Sequence, residues 1–389
     1  MKIIKITIIY TISFISFILS YIIPKKKKLY IFWWWGWNNF SWNTKAMFLY
    51  FLKKNNTKQI FYLTRNKKLF KSNIPNLVKI NSIKWYWLFI RAEIIFINNW
   101  TWDVSNSSQQ LWKFKIINLW HWDPIKQIWI NSNLKLQNNF LFRLSFKLFN
   151  NKNIKFITTS SKISANNLKN AFITNNIKVT WLARNDIFFK WNEYLEFYDI
   201  KKILNIYNYN KIIIYTPTFR DNKKNISPFS NSFLSQLNKY LKINNYIFLI
   251  KWHPNTNIIL SKKHSNIKDI SKIEFDIQEL LKYTDLMITD YSSIYIDFLL
   301  TYKPIIFYAY DLEKYLKKNR DMYFNYKDVI IKNNLIKKEY LLLEKIKKSI
   351  NIKPNKEYIK LLNLFHKYKN WWYIRNIINE INNIEKKNI

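Results

Sequence analysis

A chain of 389 residues with a single glycine, Gly36, lacks the residue that most tight turns require. Glycine is the default where the backbone takes a positive φ, because it has no Cβ to clash. The same chain contains 18 tryptophans although Lys, Asn, Ile, Phe and Tyr, which all have AT-only codons, dominate it. We infer that many of these codons are UGA, decoded as glycine in the source organism; UGG codons in the gene would refute this. Tryptophans stand where glycine is expected at Trp33, Trp34, Trp35, Trp37, Trp371 and Trp372.

Composition excludes several classes of site. The absence of cysteine excludes disulfides, thiolate zinc sites, iron–sulfur clusters and a cysteine nucleophile, and four histidines argue against a His-rich metal site. The formal net charge is +40, but the lysines are spread along the chain, which favours codon bias over a dedicated anionic partner as the main cause. The length fits two domains of ordinary size.

An apolar run opens the chain. Residues 3–23 contain one charge, Lys5, and four lysines, 25–28, follow Pro24. A run of about 20 apolar residues is long enough to span a bilayer, and the lysines favour a cytoplasmic body. Residues 1–28 are therefore predicted to form a membrane-anchor helix with a basic flank. A signal peptide and a helix lying in the membrane interface are the alternatives.

Strand-like apolar runs alternate with helical stretches along the rest of the chain, in two blocks. Alternation of this kind is typical of parallel sheets with helices on both faces, so we expect an α/β fold with two Rossmann-like domains. The tail from about residue 335 is expected to be helical. Strands are predicted at 29–32, 94–97, 116–119, 156–158, 212–215, 247–250, 286–289 and 305–308, and helices at 44–54, 164–171, 232–241, 277–283 and 294–300.

Two histidines directly follow strand-like runs, His121 in the first block and His253 in the second. In doubly wound folds, catalytic groups gather beyond the carboxyl ends of strands, and histidine titrates near working pH. His121 is a candidate general base, with a packed core histidine as the alternative. One such histidine in each half suggests groups that face each other across a cleft. His264 and His366, in polar surroundings, are expected at the surface.

Hydroxyl and charged residues follow other strands. Ser292 and Ser293 precede a predicted helix, where they cap it and expose backbone N–H groups to phosphate. Arg220 is a candidate for bidentate binding of phosphate. The segment Leu182–Asp186 is a further candidate, with a turn and a surface ion pair as the alternative. No glycine-rich nucleotide signature is present.

Together these segments resemble the CDP-glycerol glycerophosphotransferase family of teichoic-acid synthesis, over residues 30–385 or so. Trp120–Trp129 is similar to the family's W-H-G-T-P-x-K-x-x-G, with Trp122 and Trp129 at its glycines and Asp123 at its usual threonine. The other matching segments, in order, are Trp181–Asp186 (G-L-P-R-N-D), Thr216–Asp221 (A-P-T-W/F-R-D), His253-Pro254, Thr289–Ser293 with Asp297 (T-D-Y-S-S-x-x-x-D) and Tyr302–Tyr315 (N-K-P-I-I-F-Y-x-Y-D-L-E-x-Y).

The resemblance implies a glycosyltransferase-B-type fold, with residues 29–195 as the acceptor-side domain, 196–389 as the CDP-donor domain with C-terminal helices, and the active site between them. It implies that His121 deprotonates the acceptor hydroxyl. The catalytic candidates are His121 and His253; the donor-binding candidates are Arg220, Thr218, Lys251, Asp290, Ser292 and Ser293; the further candidates are Asp123, Arg184, Asn185 and Asp186.

The implied reaction transfers glycerol phosphate, or a similar polyol phosphate, from a CDP-linked donor to a lipid-linked or polymeric envelope acceptor at the cytoplasmic face of the membrane, releasing CMP. No cofactor, metal or nucleic acid is expected to take part, because positioning and charge stabilisation do most of the work in phosphoryl transfer. The alternatives are a nucleotide-sugar glycosyltransferase of the same fold, and a basic membrane protein that binds nucleic acid or lipid by charge alone.

Overall fold

The computed structural model of the protein divides into two compact units. Unit 1 comprises Met1–His121, Trp129–Leu195 and Asn370–Ile389, and unit 2 comprises Trp122–Ile128 and Glu196–Lys369. The chain thus passes into unit 2 for seven residues immediately after His121, and its C-terminal segment belongs to unit 1. The structure describes residues 11, 14–33, 40–54, 57–99, 114–131, 153–189, 193–220, 227–253, 256, 258, 260, 262–318, 321–366 and 373–386.

Unit 1 contains a seven-stranded sheet in the order β3-β2-β1-β4-β5-β6-β7, and all its pairs are parallel. Its central strands are continuous apolar runs, as expected where helices cover both faces. The strands are β1 (Leu29–Trp33), β2 (Gln59–Thr64), β3 (Leu77–Lys79), β4 (Ile94–Ile97), β5 (Lys115–Asn118), β6 (Ile154–Thr159) and β7 (Ile177–Val179). After the N-terminal segment, this unit contains the helices α1 (Trp42–Lys53), α2 (Ile83–Arg91) and α3 (Lys162–Phe172).

Unit 2 contains a six-stranded sheet in the order β10-β9-β8-β11-β12-β13, again parallel throughout. The strands are β8 (Lys211–Thr216), β9 (Tyr246–Ile250), β10 (Ile267–Asp269), β11 (Leu286–Thr289), β12 (Ile305–Tyr308) and β13 (Leu335–Ile336). The helices are α4 (Ile200–Leu204), α5 (Asn231–Asn244), α6 (Ile277–Tyr283), α7 (Ile294–Phe298), α8 (Leu312–Lys318), α9 (Glu339–Ser349) and α10 (Lys356–Phe365), and α11 (Tyr373–Lys386) then returns to unit 1.

Each sheet has a point at which the strand order reverses, between β1 and β4 in unit 1 and between β8 and β11 in unit 2. Connections leave such a point on opposite faces, which opens a crevice at the carboxyl ends of the strands. In unit 2 the Thr289 hydroxyl donates to the carbonyl of Thr216 at 2.7 Å, which ties the two strand ends together. These two edges are where ligand groups are expected.

The predicted α/β class with parallel sheets is confirmed, and every predicted strand and helix overlaps an observed one. The prediction missed β2, β3, β7, β10 and β13. β3, β7, β10 and β13 have two or three residues each and lie at or next to a sheet edge, where a short, half-polar segment carries no clear periodicity.

The N-terminal apolar run is described only in part. Residues 14–22 are helical, whereas residues 1–10 lie outside the described residues. Within the described part of the chain, no helix is both long enough and apolar enough to cross a membrane. The predicted anchor helix is therefore not shown.

Four tryptophans have left-handed backbone conformations. Trp42, Trp120, Trp129 and Trp181 have φ between 48° and 74°. Asparagines also take this conformation, for example where Asn245 ends α5, but a bulky residue there is a conformational outlier. The backbone thus supports glycine as the native residue at these four sites. Trp122 is not among them, and Trp34, Trp35, Trp37, Trp371 and Trp372 lie outside the described residues.

We predict that Trp129→Gly is more stable than Trp129→Ala by about 1 kcal/mol, because a left-handed residue with a Cβ is strained by about 1–2 kcal/mol. Trp87, in α2 and 51% exposed, is the matched control. There the order should reverse, with Gly about 1 kcal/mol less stable than Ala in a helix. Urea unfolding of the four variants measures these differences. A glycine variant that is less stable than the alanine variant at both sites would contradict the prediction.

Candidate active site

His121 lies just beyond the carboxyl end of β5 in unit 1, and 8% of its surface is exposed. Its Nδ1 lies 2.7 Å from the carbonyl oxygen of Asn98. Because a carbonyl only accepts, Nδ1 carries the hydrogen in the neutral ring and Nε2 keeps its lone pair. This is the tautomer that a general base needs, with the basic nitrogen turned away from the anchoring contact.

Burial lowers the pKa of His121 to about 3; the bond to Asn98 opposes this shift and the positive charge of Arg184 adds to it. The ring is therefore neutral at physiological pH. A neutral imidazole can take a proton from a hydroxyl without first losing one of its own.

A network of asparagines holds the loop that carries His121. Asn98 accepts from the backbone N–H of Thr44 at 3.1 Å and donates to the Thr44 hydroxyl at 2.8 Å. Asn43 donates to the carbonyls of Leu119 and Trp120 at 2.9 and 2.7 Å. Sequence analysis missed both asparagines. The available signal was their location, at the start of α1 and after β4.

Arg184, Asn185 and Asp186 lie on a 3-10 helix, Ala183–Phe188, and all three are buried. The surface ion pair considered as their alternative role is therefore wrong. Arg184 donates to the carbonyl of His121, and its backbone N–H donates to Asn43 at 2.9 Å. Asp186 accepts from the backbone N–H groups of Tyr373 and Ile374, both at 3.0 Å.

These contacts give the three residues different parts in unit 1. Arg184 supports the loop of His121, whereas Asp186 caps the start of α11, where free N–H groups and the helix dipole favour a carboxylate. The Arg184 guanidinium also lies 4.3 Å from the Trp42 ring centroid, and the Trp42 ring lies 5.9 Å from the His121 ring. Glycine at 42 would remove this indole from beside the base.

In unit 2, Arg220 follows β8 and binds two carboxylates. Its Nη2 donates to Asp290 at 2.7 Å, and its Nε and Nη2 donate to the two oxygens of Asp311 at 2.8 and 3.1 Å. Its Nη1 donates to the carbonyl of Thr218 at 2.5 Å. Burial disfavours the guanidinium charge, but the carboxylates outweigh this and raise the pKa of Arg220. Arg220 therefore holds the loops together.

Asp290 follows β11 and is fully buried. Besides Arg220, it accepts from the backbone N–H groups of Thr218 and Tyr291 at 2.8 and 2.5 Å. The carboxylate thus fixes the loops after β8 and β11 against each other at the switch point. The Thr218 hydroxyl is buried without a partner among the described residues, which marks it as a group that a ligand can satisfy.

Ser292 and Ser293 are half-buried. Ser293 is the N-cap of α7, but its side chain makes no capping bond, and α7 has only five residues. The expectation that these hydroxyls cap the helix is therefore wrong for Ser293. Within the described part of the chain, neither hydroxyl has a protein partner, so both can bind a ligand beside Asp290.

Lys251 follows β9 and donates to three backbone carbonyls, of Ile270, Ser271 and Ile273, at 3.2, 3.2 and 2.9 Å. Burial lowers its pKa to about 8 although Asp269 and Glu274 oppose the shift. These contacts fix the segment after β10.

His253 is exposed two residues later, with its ring centroid 5.4 Å from that of Phe219. Partial burial and then the positive charge of Lys126 lower its pKa. The His253 ring is therefore harder to protonate than a free histidine. Pro254 lies outside the described residues.

Asp123 and His366 are both buried in unit 2, and His366 is 1% exposed. The expectation of a surface His366 is wrong, because it ends α10 and its Nε2 lies 2.7 Å from the carbonyl of Ile296 in α7. Burial lowers its pKa, whereas the carboxylates of Asp123 and Asp297 oppose the shift. Asp123 thus lies in the interior of this unit, and His366 supports α7. His264 is half-buried.

The described residues contain no group of three or more His, Asp or Glu that could hold a metal ion. Unit 2 thus contains a charge hub, formed by Arg220, Asp290, Asp311 and Tyr291, with hydroxyl groups beside it. Unit 1 contains a neutral base, His121. Sequence analysis missed Asp311 and Tyr291 of the hub. Asp311 follows β12, so the rule that functional groups lie beyond the carboxyl ends of strands could have identified it.

Comparison with known proteins finds one family model that covers most of the chain. Residues 15–383 match the model described as CDP-Glycerol:Poly(glycerophosphate) glycerophosphotransferase. The chain is 29% identical over 316 residues to a teichoic acid glycerol-phosphate transferase of Staphylococcus aureus, covering 78% of this chain and 79% of the relative. It is also 29% identical over 362 residues to a teichoic acid poly(glycerol phosphate) polymerase of Bacillus spizizenii, covering 86% of each.

The fold is similar to that of a solved structure, the wall teichoic acid polymerase TagF. The TM-score is 0.76 at 23% identity, with 94% of this chain and 91% of the other covered. This likeness confirms the glycosyltransferase-B type of α/β fold.

We predict that His121 makes stability fall in weakly acidic solution. Because its folded-state pKa of about 3 lies below the unfolded value of about 6.5, the unfolded state binds the proton first. Its contribution to the free energy of unfolding is present above pH 6.5 and is lost as the pH falls toward 3. At pH 5 the loss is about 2 kcal/mol.

Denaturant unfolding at pH 7.5 and 5.0 measures this effect. His121→Gln should lose less stability than the wild type between the two values, while His264→Gln, at the half-buried histidine, should follow the wild type closely. Identical losses in all three proteins would show that His121 titrates normally.

Proposed function

This chain belongs to the CDP-glycerol:poly(glycerophosphate) glycerophosphotransferase family, and we propose that it transfers glycerol phosphate from CDP-glycerol to a teichoic-acid-type acceptor. The observation that carries the chemistry is the neutral His121, held through Nδ1 so that Nε2 is basic. The family favours this reaction over the nucleotide-sugar alternative, which shares only the fold.

In the proposed reaction, Nε2 of His121 takes the proton of an acceptor hydroxyl as its oxygen attacks the phosphorus that bears glycerol. A new O–P bond forms, the bond between that phosphorus and the bridging oxygen breaks, and CMP leaves with the electron pair. Positioned donors rather than covalent chemistry lower the barrier in such transfers. Asn98 keeps the base in the productive tautomer throughout.

We propose that the donor binds at the carboxyl ends of β8 and β11 in unit 2. Ser292, Ser293 and the Thr218 hydroxyl have no described protein partner, which suits them to phosphate oxygens. His253 supplies a further hydrogen bond. Arg220, Asp290 and Lys251 then act as positioning residues, because their polar atoms bind the surrounding loops.

We also propose that the N-terminal segment attaches the protein to the cytoplasmic face of the membrane, near a lipid-linked or polymeric acceptor. Five large side chains on the helical residues 14–22 are 43–70% exposed, namely Phe14, Ile15, Ile18, Tyr21 and Ile22. Lys25–Lys28 follow, and basic residues strengthen binding to anionic lipid. Exposed apolar area next to cationic charge is the pattern of an interfacial helix.

Turnover of different donors tests the function. With a lipid-linked acceptor, the chain should release CMP from CDP-glycerol, with no release of nucleotide from UDP-sugars, and EDTA should leave the rate within about two-fold because charge stabilisation needs no metal. His253→Gln should lower kcat/KM about 100-fold, and His264→Gln should not. A strict Mg²⁺ requirement would contradict the metal-free mechanism, and UDP-sugar turnover the donor assignment.

Vesicle binding tests the attachment. Ile18→Asp with Ile22→Asp should reduce sedimentation with vesicles of anionic phospholipid about ten-fold or more, because two buried side chains are worth about 1.5–3 kcal/mol each. Ile83→Asp, at a 90% exposed isoleucine on α2, is the matched control. Equal binding of all three proteins would refute attachment through this helix.

A further inference from the structure

A concavity of about 360 Å³ lies on unit 2, away from the charge hub. Its walls come from the segment that joins α4 to β8, from the end of α5 and from the residue before β10. The concavity therefore lies at the amino ends of β8, β9 and β10, whereas the hub lies at the carboxyl ends of the parallel strands. The lining residues are all polar, and none is acidic: Asn205, Asn208, Tyr209, Lys242, Asn245 and Asn266.

Two of the lining asparagines give the concavity a fixed shape. The side-chain amide of Asn245 donates to the carbonyl of Asn208 at 2.6 Å, and that of Asn266, which is buried, donates to the carbonyl of Tyr246 at 2.8 Å. Asn245 also ends α5 in the left-handed conformation. The protein itself thus holds the segments that form the walls.

The helix ends beside the concavity are satisfied within the protein. A helix ends with free carbonyls and the negative end of its dipole, which disfavour an anion. Here the ammonium of Lys268 donates to the carbonyls of Leu204 and Asn205 at the end of α4, both at 3.1 Å. At the end of α5, the side chain of Asn210 donates to the carbonyl of Asn244 at 3.2 Å. An anionic group can therefore approach this surface.

Four side chains supply the chemistry of the concavity. Within the described part of the chain, no hydrogen-bond or ion-pair partner occupies the amides of Asn205 and Asn208, the hydroxyl of Tyr209 or the ammonium of Lys242. Amides and phenols both donate and accept, as the hydroxyls of a polyol do, whereas an ammonium only donates and favours an anion. The set matches a ligand that carries hydroxyl and phosphate groups together.

We propose that this concavity binds a polyol phosphate, and that its occupant is the glycerol-phosphate polymer that serves as acceptor. The ligand class follows from the lining side chains, whereas the identity of the polymer rests on the proposed function. Asn205, Asn208 and Tyr209 bind hydroxyl groups, and Lys242 binds a phosphate. A second point of attachment raises the effective concentration of a long acceptor without any part in the transfer itself.

Calorimetric titration of the full chain with a short poly(glycerol phosphate) oligomer, and with an inorganic polyphosphate of equal charge, tests the site. Lys242→Gln should weaken binding of the oligomer about ten-fold, because a charge-assisted contact is lost. Asn205→Gly with Asn208→Ala should weaken the oligomer by a similar factor but leave polyphosphate within two-fold, because polyphosphate has no hydroxyl to lose. Glycine at 205 keeps the left-handed backbone of that position.

Lys239→Gln, at an exposed lysine of α5 that does not line the concavity, is the matched control for the loss of one charge. It should bind both ligands within two-fold of the wild type. All these variants should bind CDP-glycerol as the wild type does, because the proposed donor contacts lie at the other edge of the sheet.

The inference is overturned if Lys242→Gln and Lys239→Gln weaken the oligomer equally, since that would show attraction by overall charge. It is also overturned if the double asparagine variant binds the oligomer as the wild type does, or loses polyphosphate to the same extent. Oligomer binding that depends on these residues, in a chain that releases no CMP from CDP-glycerol, would support the concavity and refute the proposed function. Turnover of CDP-glycerol with oligomer binding unchanged in every variant would refute the concavity alone.

Discussion

The proposed donor side of the protein depends on one half-buried guanidinium between two carboxylates. Arg220 joins Asp290, at the end of β11, to Asp311, beyond β12, and also holds the carbonyl of Thr218, after β8. A buried charge is costly unless it is paired and fully hydrogen-bonded, and here every partner is supplied by a different loop. The three loops are thereby fixed at the switch point of the sheet, and the hydroxyls around them are the groups that we propose to bind the donor.

Unit 1 holds its functional group by the opposite means. The His121 ring is anchored by a neutral group, the carbonyl of Asn98, and its loop is held by Asn43 and Arg184. A carboxylate on Nδ1 would raise the pKa of the ring and favour its protonated form. With a carbonyl instead, burial keeps the ring neutral, as a proton acceptor requires. One unit thus provides fixed charge and the other an uncharged base.

Much of this arrangement was predictable from sequence because polar residues at the ends of apolar runs are informative. His121, His253 and Asp290 were found in this way, and all three lie at strand ends. What the side chains bind was not predictable, because partners come from distant segments. Arg220 looks like a phosphate ligand until its carboxylates are seen, and His366 looks exposed although α7 covers it. The left-handed tryptophans confirm that turn geometry is required where the printed residues do not favour it.

The central claim is that His121 of unit 1 takes the proton of the acceptor hydroxyl, whereas the groups that hold the donor belong to unit 2. It is tested most directly by comparing donor affinity with turnover in His121→Gln. In calorimetry, the Kd of His121→Gln for CDP-glycerol should equal that of the wild type, since the proposed donor contacts lie in the other unit. Transfer of labelled glycerol phosphate to the acceptor should fall by about 100-fold or more, because the proton acceptor is lost. A variant that transfers at the wild-type rate, or that no longer binds the donor, would contradict this division of roles.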